Sequence, residues 1–78
     1  MGQRRQKPKH LARKLLAIRE RLGVSQTEMA RLLELKTTYT VVSSFETGRR
    51  EPDLIVLLHY ARLGRVSMET LADDKANL

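Results

Sequence analysis

The sequence predicts an all-α fold, a compact bundle of five short helices behind a flexible basic N-terminal arm. Three observations lead there. Apolar residues recur at spacings of three and four along most of the chain, and Gly or Pro with Ser or Asp punctuates the breaks. Cysteine is absent, so a hydrophobic core must hold the 78 residues together without disulfides or thiolate metal sites. A chain of this length buries roughly 60 to 65% of its unfolded surface, which suits one domain and leaves no room for a second. The expected division is an arm over 1–9, a helical domain over 10–72 and a tail over 73–78.

Each element follows from local pattern. Residues 1–9 have no apolar periodicity, carry Pro8 and are densely charged, which describes an arm. Leu11, Leu15, Ile18 and Leu22 then share one helical face, and Gly23 provides a stop. Ser25 with Glu28 three residues on forms a capping box for a second helix, whose Met29, Leu32 and Leu33 point inward. The pattern breaks from Glu34 to Thr38. Val42 and Phe45 resume it, predicting a third helix from about Thr38 to Thr47 with Gly48 as its left-handed cap. By propensity alone residues 37–42 read as a strand, but no partner strand is evident, and packing favours the helix. Pro52 and Asp53 start a fourth helix with a stripe of Leu54, Leu57, Leu58 and Ala61, closed by Gly64. Ser67 opens a short fifth helix with Met68 and Leu71, and the final ADDKANL has too little apolar surface to stay packed.

Charge is unevenly placed. The net charge is +6, and residues 1–21 hold eight Lys or Arg against Glu20 alone, while the remainder is nearly balanced. Such a stretch fits a polyanionic partner, because Lys and Arg release condensed counterions from phosphates; a solubilising terminus fits the charge equally well. No apolar stretch is long enough to cross a bilayer, and MGQRRQKPKH lacks a signal-peptide core. Only His10 and His59 offer neutral-pH acid–base groups, with no phosphate loop, nucleophile or metal-spaced cluster beside them, so neither an enzyme nor a cofactor is expected.

The stretches Ile18 to Gln26, Met29-Ala30, Phe45 to Pro52 and Gly64 to Ser67 together resemble the lambda-repressor-like, Cro-type (XRE-type) helix-turn-helix domains over about Leu15 to Leu71. The resemblance implies a five-helix bundle and sequence-specific binding to double-stranded DNA as a transcriptional regulator, in the sense of a repressor. It also implies a homodimer on an inverted repeat and a cytoplasmic, nucleoid-associated protein of bacterial or phage type. Carried onto this chain, it pairs Arg19 with Glu46 and sets Ser25 and Gln26 against a phosphate. It offers Tyr39, Thr40, Ser43 and Ser44 to base edges. Lys36, Thr38, Arg49 and Arg50 become phosphate contacts, although Lys36 suits an ordinary solvated loop equally well. By analogy with homeodomain arms, Arg4, Arg5, Lys7 and Lys9 reach a neighbouring groove. No base-facing position is Arg, Asn or Gln, so direct readout should be modest.

The chain departs from the family pattern once. Eleven residues separate Leu33 from Phe45 where nine are usual, and Glu34 replaces a customary Gly. If both extra residues loop out before Thr38, the third helix keeps its register; if they lengthen a helix, the base contacts shift. The alternative function is an antitoxin or protein-interaction module that uses the same domain to bind a partner protein.

Overall fold

A computed structural model of the chain describes residues 8–36 and 39–78. Five helices appear in order: α1 (Leu11–Leu22), α2 (Gln26–Leu32), α3 (Thr40–Glu46), α4 (Leu54–Gly64) and α5 (Met68–Ala72). No strand forms among the described residues. The β-branched residues from Thr40 onward are helical because Val42 and Phe45 reach the core only at helical spacing.

The core gathers Leu11, Leu15, Ile18, Met29, Ala30, Leu33, Val42, Phe45, Tyr60, Ala61 and Leu71. α1 is the central post, packing on α3, α4 and α5, while α2 packs on α3 and α4 on α5. Ala30 is buried, as a small residue must be for two helix backbones to meet. Phe45 and Tyr60 meet edge to face, with ring centroids 6.3 Å apart and planes at 74°.

Four helices end in the same way. A residue just past the helix turns left-handed, and the next N–H reaches back five positions to a carbonyl. Gly23 and Gly48 fill that role after α1 and α3, with φ of 71° and 79°. After α2 the left-handed residue is Glu34 (φ 59°), with Leu35 N–H donating to the Ala30 carbonyl at 3.0 Å. After α4 it is Arg65 (φ 56°), with Val66 N–H donating to the Ala61 carbonyl at 3.0 Å. The starts are capped by Ser25, Asp53 and Ser67, each accepting the N–H three residues on.

Several expectations are corrected. α4 ends at Gly64 as expected, but the left-handed residue is Arg65; Gly64 is itself helical, and a Cβ built on it lies 2.9 Å from Ile18 Cδ1, so its absence lets α4 approach α1. Leu54 does not join the buried stripe of α4 but is 70% exposed. The Tyr60 ring fills the core instead and rotates the helix so that Val56, Leu57, Tyr60 and Ala61 face inward. Leu22 is likewise exposed. The capping box is half formed, because Glu28 pairs with Arg31. α3 starts at Thr40. The C-terminal segment is not detached, since Leu78 packs against the core.

Candidate nucleic-acid interface

Inward anchoring of α3 by Val42 and Phe45 decides what it shows outside. Residues at spacings of four and seven from Thr40 fall opposite those anchors, which makes Thr40, Ser44 and Thr47 the outer row. Tyr39 stands at the helix start, 52% exposed, and Ser43 flanks the row half-buried. Thr47 is absent from the residues singled out by sequence, although its spacing of seven from Thr40 is a legible signal.

Two of these hydroxyls are already committed. Ser44 Oγ donates to the Thr40 carbonyl at 2.9 Å, and Thr47 Oγ1 donates to the Ser43 carbonyl at 3.0 Å. With their protons turned back into the helix, both oxygens present lone pairs outward, beside the threonine methyl groups. Such a surface accepts from an exocyclic amino group of adenine or cytosine and packs on a thymine methyl.

The rest of the presentation depends on one ionic junction. Arg19 Nε meets Glu46 Oε2 at 2.6 Å and its Nη2 meets Oε1 at 3.2 Å, a bidentate pair between α1 and the last residue of α3. Arg19 Nη1 also donates to the Val24 carbonyl at 3.0 Å. Glu46 is nearly buried, with 5% of its side chain exposed against 18% for Arg19. The hydrogen bond to Glu46 holds the guanidinium above its ordinary range, against the opposing effect of burial. Gln26 joins the same carboxylate, its amide donating to Glu46 Oε1 at 3.0 Å. The first residue of α2 and the last of α3 are therefore fixed to each other through Glu46. That bond was not anticipated; it also orients Gln26 at the N-terminus of α2, where backbone N–H groups attract anions.

Around the row, Ser25 is exposed and accepts the Glu28 N–H at 3.1 Å. Lys36, Arg49 and Arg50 are exposed. The loop bearing the two arginines is held by their N–H groups, which donate to the Ser44 carbonyl at 3.0 and 3.2 Å. Lys9 is exposed and lines a cleft together with Arg50 and Glu51. Arg4, Arg5, Lys7 and Thr38 lie outside the described residues. α2 ends at Leu32 and α3 starts at Thr40, each helix seven residues long.

His59 is a packing residue, its Nδ1 3.3 Å from the Leu33 carbonyl. Among the described residues no cluster of His, Cys, Asp or Glu is arranged to hold a metal, and no helix is long and apolar enough to cross a membrane.

Comparison with known proteins agrees with this geometry. No curated protein matches the chain. Among solved structures it is similar to the P22 c2 repressor protein in complex with synthetic operator 9T in the presence of Tl+, with a TM-score of 0.74 and 18% identity over 91% of this chain and 100% of that one. At that identity the likeness concerns the fold. Residues 15–71 match the family described as helix-turn-helix, which covers most of the chain, from within α1 to within α5. With the capped α2, the turn and the outward row of α3 in the places that such a motif requires, this chain belongs to the helix-turn-helix family.

Proposed function

We propose that the protein binds double-stranded DNA sequence-specifically as a transcriptional regulator, acting as a repressor, with α3 in the major groove. The observation that carries this reading is the outward row of α3, exposed Thr40 and Thr47 with half-buried Ser44 between them, bordered by Gln26 at one helix start and by Arg49 and Arg50 just past Gly48. The row supplies base contacts, and the flanking groups supply phosphate contacts. The shared fold of the P22 c2 repressor, a protein in complex with a synthetic operator, supports the DNA-binding reading. Tyr39 and Ser43 extend the base-facing surface; Ser25, Lys36 and Thr38 extend the phosphate-facing one. A homodimer on an inverted repeat would set two copies of α3 about 34 Å apart.

Selection of duplexes from a random library tests the reading. Bound sequences should share a half-site motif, with affinity falling by a log–log salt slope of about −0.9 per phosphate neutralised. Thr40→Ala or Ser44→Ala should relax preference at one base pair, while Arg49→Ala should weaken all duplexes alike. Binding without sequence preference, or with no dependence on salt, would refute it.

One observation favours the alternative of an antitoxin or protein-interaction module. Leu54 and Ile55 at the start of α4 are 70% and 58% exposed, neighbouring apolar side chains beyond the needs of the core. Replacing both with serine should leave duplex affinity unchanged if DNA is the only partner.

A further inference from the structure

Ser44 is tied at both of its oxygens. Its Oγ donates to the Thr40 carbonyl, one turn earlier, at 2.9 Å. Its carbonyl accepts the N–H groups of Arg49 and Arg50 at 3.0 and 3.2 Å and the Thr47 hydroxyl at 3.3 Å. The loop that follows α3 therefore closes on the backbone of Ser44 itself. With Val42 and Phe45 buried, the rotation of α3 is fixed as well, so the Ser44 side chain stands half-buried in a defined place on the outward row.

A hydroxyl carries one proton and two lone pairs. The Ser44 proton is engaged inside the helix, and what it offers to a ligand is acceptor capacity. Turning that proton outward breaks the bond to Thr40, whereas accepting from an amino group leaves it in place. Base edges in the major groove divide on this point. Adenine N6 and cytosine N4 carry amino hydrogens, while thymine O4 and guanine O6 are keto oxygens that only accept. Each Watson–Crick pair holds one amino and one keto group there, on opposite strands. A fixed acceptor facing one strand thus groups adenine with cytosine on that strand and sets both apart from guanine and thymine. Neither the number of hydrogen bonds in a pair nor the contrast of purine with pyrimidine produces that grouping.

We propose that Ser44 determines specificity as a fixed acceptor: at one position of the half-site its Oγ selects the pairs that place an exocyclic amino group on the contacted strand. The inference rests on the DNA-binding reading above and deepens it by naming the chemistry read at that position. One neutral hydrogen bond is at stake, which corresponds to about threefold to tenfold in affinity.

Selection of duplexes by wild type and by Ser44→Ala locates the position as the one where the two profiles differ. The best duplex is then made with each of the four pairs there. Wild type should bind the two duplexes with the amino group on one strand, adenine and cytosine, about threefold to tenfold more tightly than the two with it on the other, and Ser44→Ala should narrow that gap to under about twofold. The best duplex is also made without the amino group, with purine in place of adenine or pyrimidin-2-one in place of cytosine. The exchange should weaken wild type about threefold to tenfold more than it weakens Ser44→Ala; any effect on the duplex alone appears in both proteins and cancels. Ser44→Cys, whose sulfur accepts weakly, carries the comparison if Ser44→Ala fails to fold. Preferences that separate A·T from G·C pairs or purine from pyrimidine, profiles that do not differ, or equal losses on removing the amino group would each overturn the inference while leaving duplex binding in place. A wild-type chain that binds no duplex would instead remove the DNA-binding reading itself, and this inference with it.

Discussion

The Glu46 carboxylate accepts from Arg19 and Gln26 at once while only 5% of its side chain meets solvent. Desolvation of such a pair offsets most of its attraction, so its worth lies in the orientation it imposes on α3 relative to α1 and α2. Removing one partner is another matter. Glu46→Ala should cost about 3 kcal/mol in urea denaturation, because Arg19 remains mostly buried and charged, whereas the double replacement Arg19→Met with Glu46→Leu should recover most of that loss. An unchanged midpoint in the single variant would mean that the junction does not constrain the fold. Next to it, Tyr60 Oη is buried with no hydrogen-bond partner, and burial pushes its phenol well above the ordinary tyrosine range, with Glu46 adding to the effect. An unsatisfied buried hydroxyl costs about 1 to 3 kcal/mol, so Tyr60→Phe should raise stability by about 1 kcal/mol and keep the edge-to-face contact with Phe45. A lower thermal midpoint for that variant would count against this account.

Among the elements, the helix ends show how far a sequence can be read. Gly23, Gly48, Ser25, Asp53 and Ser67 were all legible, because a cap needs a particular backbone freedom or a particular oxygen at one position. Glu34 and Arg65 were not, since nothing in a glutamate or an arginine advertises a left-handed conformation; the surrounding hydrogen bonds impose it. Gly64 does end α4, but a left-handed turn is not what it supplies. Its use is the close approach of Ile18. Opposite outcomes are expected at the two kinds of site. Glu34→Gly should stabilise the protein by about 1 kcal/mol by relieving a left-handed non-glycine residue, whereas Gly64→Ala should destabilise it by about 1 to 3 kcal/mol despite better helix propensity. Thermal denaturation of both variants checks the contrast. The face of α4 was misassigned because periodicity alone did not say that Tyr60, rather than Leu54, would fill the core. For the candidate interface, the outward row of α3 followed from Val42 and Phe45, while the Gln26–Glu46 bond joins side chains 20 residues apart and the Asp74 carboxylate accepts the backbone N–H of His10 from 64 residues away.

For the whole molecule, α1 is the post to which the segment after α5 is fastened, through the Asp74 carboxylate accepting the Lys9 and His10 N–H groups and through Lys14 Nζ donating to the Thr70 and Asp73 carbonyls. The Asp74 carboxyl titrates lower when folded than when unfolded, so its contribution is complete above the unfolded value of about 3.9 and disappears as pH falls through the lower folded value. The stability difference between wild type and Asp74→Ala should therefore be constant near neutrality and shrink below about pH 4. A difference that persists unchanged in strong acid would show that the carboxylate is not the source. The companion bond from Lys14 has a practical consequence. Its ammonium is enclosed at 1% exposure, whereas Lys9, Lys36 and Lys75 stand in solvent, so an amine-reactive acylating reagent should label those three rapidly and spare Lys14. Mass spectrometry of the labelled chain then turns one lysine into a built-in gauge of whether the end of α5 is locked to α1, with no dye or tag attached.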